Sequence, residues 1–157
     1  MNESMINNWN LKCDDNSIVY FLGDFALGAQ HSQIQDILER LKFKTMYFIS
    51  GNHEKSFRNW YRRYCDGALT LKDKEVVLRP DLEEIKIGEQ HISLCHYPLA
   101  EWNGSFYGSW MLHGHSHGNH KRGRPESQDG KILDVGVDCH KMAPVSLEEI
   151  GTIMENK

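Results

Sequence analysis

Four short polar motifs each follow an apolar, strand-like run, and together they carry side chains that can bind metal ions. The motifs are Gly23-Asp24, Gly51-Asn52-His53-Glu54, Cys95-His96-Tyr97-Pro98 and Gly114-His115-Ser116-His117. In parallel-sheet proteins ligands bind at the carboxyl ends of the strands, so four such ends can converge on one site. A carboxylate, an amide and several imidazoles form an oxygen-and-nitrogen shell that suits borderline divalent metals. The motifs therefore predict a shared metal site.

The residues of the first two motifs also fit structural roles when each is considered alone. The Asp24 carboxylate can bridge two cations because its oxygens face different directions, but turns and helix caps use aspartate equally well. Asn52 offers a neutral amide oxygen as a ligand, or it stabilises the turn after Gly51. His53 is adjacent but points differently, which suits contact with a substrate, and Glu54 can simply orient the turn.

The histidine-rich tract is the strongest metal signal in the chain. In an extended segment, alternation would place His113, His115 and His117 on one side. A tract of this composition can also bind metal incidentally. The intervening Gly114 and the following Gly118 indicate an ordered turn instead. We therefore interpret His115 and His117 as metal ligands.

Several other residues are interpreted as structural, with functional alternatives left open. A lone histidine in the position of His96 is more often a hydrogen-bonded structural residue. Arg122 and Arg124 lie in a loop rich in Gly, Arg and Pro, where they either contact a substrate phosphate or are solvated charges. Asp138 and His140 end a strand and are assigned a structural role. The tryptophans are assigned to the core rather than to substrate contacts: Trp9, Trp60, Trp102 and Trp110.

The elements that position these motifs follow from apolar periodicity. Residues 17–22 and 44–50 are predicted to be buried strands that run into the first two motifs. Residues 32–42 carry apolar side chains at helical spacing, with Ser32 as the N-cap. A strand, a helix and a strand within some 35 residues are typical of a right-handed βαβ unit with parallel strands.

The second half of the chain predicts more strands than helices. Residues 57–71 are interpreted as one irregular helix, and Gly88-Glu89 as a hairpin turn. Further strands are predicted at 75–78, 83–87, 91–95, 109–112 and 132–137, and residues 121–131 form a long loop. Ser146 and Glu149 fit a capping box that opens a short carboxyl-terminal helix. These elements predict one α/β domain with a layered sheet core.

Composition limits the classes of function. The chain has 157 residues, of which 39% are hydrophobic and 25% charged, as in an ordinary soluble domain. A net charge of −4 argues against strong nucleic-acid binding, whereas bound metal would reverse the local sign and admit a small phosphorylated substrate. The four cysteines are widely spaced, the amino terminus does not match a signal peptide, and no apolar run is long enough to cross a membrane. We therefore expect a cytoplasmic protein with reduced thiols.

The order of the motifs resembles the calcineurin-like metallophosphoesterase superfamily, above all its small bacterial and phage members. Their pattern runs WN, LGDFALG, GNHD, HYP, HGHTHG and VGVD. The corresponding residues here are Trp9-Asn10, 22–28, 51–54, 96–98, 113–118 and 135–138. The likeness covers nearly the whole chain. It implies a layered β-sandwich with flanking helices, formed by a single domain over residues 1–157.

The resemblance also implies a mechanism and a set of residue roles. It implies hydrolysis of a phosphomonoester or phosphodiester by a metal-bound hydroxide, with two divalent ions (Mn, Zn, Fe or Ni) bridged by Asp24. It implies Asn52, His96 and His115 as the other ligands of one metal and His117 as a ligand of the second. His53 is implied as the catalytic residue, near the leaving-group oxygen.

One family element has no counterpart in the sequence. Members of the family open with a strand that ends in Asp-x-His and supplies two more ligands beside His117, but no Asp-x-His precedes Gly23. We therefore expect a shortened fold with an unpaired sheet edge and a second metal site reduced to Asp24 and His117. The alternative is a catalytically weak or inactive member that binds a partner through the same fold. Retention of His53 favours the enzyme, and the sequence predicts no oligomeric state.

Overall fold

The fold consists of two four-stranded sheets with flanking helices. A computed structural model describes residues 3–64, 68–71, 73–119 and 130–157. The first sheet contains β1 (Ile18–Phe21), β2 (Thr45–Phe48), β3 (Ala68–Leu71) and β4 (Lys74–Leu78) in the order β1-β2-β4-β3. The second contains β5 (Leu82–Ile87), β6 (Gln90–Cys95), β7 (Trp110–His113) and β8 (Ile132–Asp134) in that order. The predicted layered α/β architecture is confirmed.

Parallel pairing brings the polar motifs to corresponding strand ends. In the first sheet β1 pairs with β2 and β2 with β4 in parallel, so that Phe21 lies opposite Phe48. In the second sheet β6, β7 and β8 are parallel, while β5 and β6 form an antiparallel hairpin. Gly88, in the predicted turn, has a φ of 58°, which glycine adopts without steric cost. The strands β1, β2, β6 and β7 therefore all end at one of the four polar motifs.

Helices flank the two sheets, and the described ranges contain α1 (Glu3–Lys12), α2 (His31–Arg40), α3 (Lys55–Tyr64) and α4 (Leu147–Glu155). The largest core cluster lies between the first three helices and one face of the first sheet, where Phe48 stacks on Phe57 with ring centroids 3.8 Å apart. A second cluster joins residues of both sheets and α4. Trp9 and Trp60 are buried as predicted, while Trp102 and Trp110 pack partly buried against the smaller clusters.

Several element boundaries differ from the sequence predictions. The predicted helix over residues 57–71 is wrong, because α3 ends at Tyr64 and β3 (Ala68–Leu71) pairs antiparallel with β4. Long-range pairing thus overrides the local helical pattern. Helix α2 is capped by Gln30 rather than Ser32, through a capping box with Gln33. Strand β8 ends at Asp134 instead of residue 137, and a one-turn 3-10 helix follows at Val137–Cys139.

Helix α4 begins as its capping signal predicts. The Ser146 side chain accepts a hydrogen bond from the Glu149 backbone N–H (3.2 Å), and the Ser146 N–H donates to the Glu149 carboxylate (2.9 Å). A salt bridge between Lys12 and Glu149 ties α4 to α1. In the described part of the chain, no helix combines the length and apolar character that a membrane crossing requires.

Strand β1 lies at an edge of the first sheet. Within the described residues its only pairing partner is β2, and Ile18 at its start is 63% exposed. An unpaired strand edge with apolar side chains can pair with another strand. This edge leads directly into Gly23-Asp24, so it borders the predicted site.

Candidate metal centre

Three predicted ligands converge where their strands end. One ligand atom each from Asp24, His96 and His115 lies within 4.8 Å of the others. Asn52 joins them, since its Oδ1 lies 2.8 Å from Nε2 of His96. The four residues predicted for one metal are therefore brought together by β1, β2, β6 and β7.

Two glycines allow the first two motifs to meet. A Cβ on Gly23 would lie 2.5 Å from the backbone nitrogen of Gly51 and 2.6 Å from Nδ1 of His96. A Cβ on Gly51 would clash with the Asp24 carboxylate and lie 2.7 Å from its backbone nitrogen. Asp24 itself has a φ of 61°, and its Oδ1 accepts a hydrogen bond from the His53 N–H at 2.9 Å. The two loops thus interlock through backbone contacts that no other residue type permits.

The surroundings of His96 fit a cation. His96 is 2% exposed, and its Nδ1 lies 2.7 Å from the carbonyl oxygen of Leu22. A carbonyl oxygen only accepts, so Nδ1 carries a proton, and in the neutral form of the ring Nε2 presents a lone pair. Nε2 lies 2.8 Å from Oδ1 of Asn52 and 3.4 Å from Oδ2 of Asp24. Acceptor atoms that converge in this way repel one another unless a metal ion, or a proton on Nε2, lies among them.

The donor set also matches the metals expected from the sequence. Imidazole nitrogen with carboxylate and amide oxygen suits borderline divalent ions such as Zn²⁺, Mn²⁺, Fe²⁺ and Ni²⁺. The hydrogen bond from Nδ1 of His96 to a backbone carbonyl is the support that metal-ligating histidines ordinarily have. Asp24 and His115 are exposed, so the cluster is open to solvent and to a substrate on one side.

The alternation argument for the histidine tract is wrong. His113 is fully buried, its Nδ1 lies 2.7 Å from the Gly114 carbonyl oxygen, and it does not belong to the cluster of Asp24, His96 and His115. His115 and His117 have φ values of 63° and 48°, in the left-handed region rather than the extended one. The tract therefore turns tightly after β7. His115 reaches the cluster through this turn, with its ring centroid 5.0 Å from that of His96.

His117 lies outside the cluster of three. Its Nδ1 is 2.6 Å from Oδ2 of Asp138, and its side chain is 78% exposed. The hydrogen bond to Asp138 raises the pKa of His117, and the carboxylates of Asp134 and Asp24 act in the same direction. His117 is thus close enough for the charge of Asp24 to affect its pKa, while it remains separate from the cluster of Asp24, His96 and His115.

Asp134 organises the histidine turn and was not predicted as a site residue. It is 3% exposed and accepts hydrogen bonds from Ser116 Oγ (2.7 Å), Gly118 N (2.9 Å) and Gly136 N (2.9 Å). Burial alone would raise the pKa of Asp134, but these hydrogen bonds outweigh burial and hold it below the ordinary value. His140, assigned a structural role, contacts the Asp134 carbonyl oxygen through Nε2 at 2.8 Å. The only sequence signal was an acidic residue near the end of a strand.

Glu54 binds the backbone of the loop that follows Asp24. Its side chain is 2% exposed, and Oε1 accepts a hydrogen bond from the Phe25 N–H at 2.6 Å. The expectation that Glu54 orients its own turn is therefore incomplete, because it fixes the loop after Asp24. Burial raises the pKa of Glu54 to about 7, against the opposing effect of the Phe25 hydrogen bond.

His53 lies exposed beside the cluster. Its backbone N–H binds Asp24, and in the described part of the chain its imidazole makes no hydrogen bond, which leaves the ring available to a ligand. Arg122 and Arg124 lie outside the described residues.

Residues 4–142 match the family model described as calcineurin-like phosphoesterase. The chain is 31% identical over 157 residues to a Methanocaldococcus jannaschii protein named "Uncharacterized protein MJ1445", covering 99% of this chain and 76% of that protein. The fold of this chain is similar to the crystal structure of a protein of unknown function, AQ665, from Aquifex aeolicus. That match has a TM-score of 0.68 and 20% identity, and it covers 96% of this chain and 83% of the other.

Proposed function

Because the chain belongs to the calcineurin-like phosphoesterase family, we propose that it hydrolyses a phosphoric ester with the help of divalent metal. The observation that carries the proposal is the group of acceptor atoms around Nε2 of His96. Such a group is costly in an apo protein unless a cation or a proton neutralises it. We propose that Asp24, Asn52, His96 and His115 hold this cation.

The chemistry follows from the charge of the substrate. Bound divalent ions lower the pKa of a bound water and offset the negative charge on the phosphoryl oxygens. Asp24 presents two carboxylate oxygens, of which Oδ1 is oriented by the His53 N–H and Oδ2 faces His96. The Leu22 carbonyl keeps the His96 proton on Nδ1, so Nε2 stays available to the metal.

His53 is proposed as the catalytic residue. The hydrogen bond from its backbone to Asp24 holds His53 next to the proposed metal ligands, and the residue is exposed to solvent. There it can donate a proton to the leaving-group oxygen or stabilise the negative charge on it. A positioned proton donor of this kind contributes about 10²–10⁴-fold to the rate.

We propose a small phosphomonoester or phosphodiester as the substrate. The site is open on one side, which admits a small ester. The net charge of −4 does not favour a long polyanion such as nucleic acid. Mn²⁺, Zn²⁺, Fe²⁺ and Ni²⁺ all suit the mixed nitrogen and oxygen donors.

A second candidate function rests on the separation of His117 from the other ligands. Within the described residues, the second site has only Asp24 and His117 from the predicted set, and His117 is outside the close cluster. A chain that holds one metal well and the second poorly would be a weak enzyme, and it would then serve as a binding protein that retains the fold.

Hydrolysis of p-nitrophenyl phosphate and bis(p-nitrophenyl) phosphate, with each of the four metals, separates the two functions. We expect metal-dependent turnover that His115→Ala abolishes. His91→Ala serves as the matched control, because His91 is exposed near the start of β6, at the opposite end of that strand from His96. Metal binding without turnover of either ester would favour the binding protein, and turnover that survives both metal removal and His115→Ala would refute the proposal.

A further inference from the structure

The carboxylate of Asp138 contacts the imidazole of His117 directly. Its Oδ2 lies 2.6 Å from Nδ1 of His117. We propose that Asp138 is a positioning residue that holds the ring of His117 in one orientation and one tautomer, with Nε2 presented to a cation. This inference rests on the proposed function, because it assigns His117 to metal binding.

The chemistry of the contact fixes the tautomer. An ionised carboxylate only accepts hydrogen bonds, so the proton shared with it belongs to Nδ1 of His117. In the neutral ring Nε2 is then unprotonated and carries the lone pair that a metal requires. This matches His96, where the Leu22 carbonyl fixes the proton on Nδ1 in the same way. The two histidines therefore present the same nitrogen, although one is held by a backbone oxygen and the other by a side chain.

His117 needs such support more than His96 does. The His96 ring is 2% exposed and held by packing, whereas the side chain of His117 is 78% exposed on a tight turn with a φ of 48°. An exposed side chain loses rotamer freedom when it binds a ligand, which weakens binding. A hydrogen bond to a fixed carboxylate removes part of that cost in advance.

Asp138 is itself well placed to act as the fixed partner. It lies in the one-turn 3-10 helix Val137–Cys139 and its side chain is 37% exposed. A Cβ on Gly136 would lie 2.8 Å from Oδ1 of Asp138, so the carboxylate fits closely over this glycine. The two carboxylates thus act on different parts of the histidine turn. Asp134 fixes its backbone through Ser116 and Gly118, and Asp138 fixes the imidazole.

The test combines a spectroscopic readout with metal binding. Nitrogen-15 chemical shifts report which ring nitrogen of a histidine carries the proton. They are recorded on the metal-free protein at a pH at which His117 is neutral. We expect wild type to show the Nδ1–H form at His117, Asp138→Ala to show a mixture, and Asp138→Asn to keep the form, because the amide oxygen still accepts. Asp36→Asn removes an exposed carboxylate on α2 and serves as the charge control.

Metal affinity is measured on the same variants by titration with Mn²⁺ alone. Loss of a carboxylate that supports a metal-bound histidine ordinarily lowers affinity about 10–100-fold. We expect Asp138→Ala to lose affinity by this factor for the more weakly bound of two Mn²⁺ ions, the one assigned to His117. We expect a smaller loss in Asp138→Asn and none in Asp36→Asn.

The failures of the two proposals are distinguishable. An unchanged His117 tautomer and unchanged Mn²⁺ affinity in Asp138→Ala would overturn the role of Asp138, even if the protein hydrolyses esters. The expected tautomer and affinity changes in a protein without hydrolytic activity would support the role of Asp138 and count against the proposed function. Equal losses in Asp138→Asn and Asp138→Ala, with the ring tautomer unaltered in both, would also overturn the positioning role.

Discussion

Replacing Glu54 by glutamine is expected to stabilise the metal-free protein at alkaline pH. The Glu54 side chain is 2% exposed, and within the described residues its Oε2 has no hydrogen-bond partner. Burial raises the pKa to about 7 from the ordinary value of 4.5. Glutamine has nearly the same shape, and its side-chain oxygen can still accept the hydrogen bond from the Phe25 N–H.

The size of the effect follows from the pKa. Below pH 4.5 the carboxyl is protonated in both the folded and the unfolded chain, so it has no effect on stability. As pH rises from 4.5 to 7 the unfolded chain releases the proton more readily than the folded protein, and folding becomes less favourable. Each tenfold difference in proton affinity corresponds to about 1.4 kcal/mol, so wild type is expected to lose about 2–3 kcal/mol between pH 5 and 8 through this group. Glu54→Gln lacks this loss.

Urea unfolding at pH 5 and pH 8 in the presence of a chelator measures the difference. Metal must be absent, because a cation beside Asp24 would alter the field at Glu54. The free energy of unfolding of Glu54→Gln relative to wild type is expected to rise by about 2–3 kcal/mol between the two pH values. A relative stability that stays constant between pH 5 and 8 would show that Glu54 is ionised in the folded protein throughout and would refute the reasoning.

Glu149→Gln is the matched control for this experiment. Its hydrogen bond with Lys12 and the Ser146 N–H lower the pKa of Glu149 to about 2. A carboxyl with a lowered pKa contributes stability that is present above its ordinary pKa and lost only as pH falls toward 2. The destabilisation by Glu149→Gln is therefore expected to be nearly the same at pH 5 and pH 8, unlike the effect of Glu54→Gln.

Three further predictions concern the metal site and the free sheet edge. Metal analysis after mild dialysis is expected to give about one equivalent of metal per chain, because Asp24, Asn52, His96 and His115 lie together. His115→Ala is expected to lower this content, and two metal ions retained with equal affinity would contradict the prediction. His53→Ala is expected to reduce turnover about 10²–10⁴-fold while metal content is unchanged, and parallel losses of both would remove His53 from the catalytic role. A family-like strand carrying Asp-x-His, fused before residue 1, is expected to raise Tm without metal by pairing with β1 and to raise activity with metal. The same fusion with Ala-x-Ala is expected to raise only Tm, and unchanged Tm and rate with the intact fusion would contradict the prediction.

The parts of the fold that were predictable from sequence are those with a local pattern. The βαβ unit was recognisable because β1, α2 and β2 have clear apolar periodicity and the glycines mark the strand ends. Helix α1 was not predicted, because only Ile6 and Trp9 of its residues are buried and the helix depends on packing. The Trp9 indole N–H donates to the Lys42 carbonyl at 2.8 Å, a contact between residues 33 positions apart. No local sequence pattern predicts such a contact.

The convergence of the four motifs was predictable, whereas the detailed geometry of the site was not. Strand ends meet at one side of parallel sheets, which brings Asp24, Asn52, His96 and His115 together. Their assignment as ligands of one metal came from the family resemblance and stays a prediction. The extended conformation predicted for the turn that carries His115 was wrong. The left-handed φ occurs there at a histidine, and this residue type does not by itself predict that conformation. Asp134 and Asp138 were assigned no role at the site, because their partners Ser116, Gly118 and His117 lie far from them in sequence.

The close contact between Gly23 and Gly51 has a consequence for how this family is compared. A side chain at either glycine would collide with backbone atoms of the other loop, so both glycines stabilise the fold whether or not a metal binds. A descendant that had lost catalysis would still keep the two glycines under selection for stability alone. His53 is exposed and its ring makes no hydrogen bond within the described residues, so the folded structure alone does not require histidine there. If His53 has the proposed catalytic role, retention of the histidine among relatives of this chain indicates activity, whereas retention of the glycines indicates only the fold.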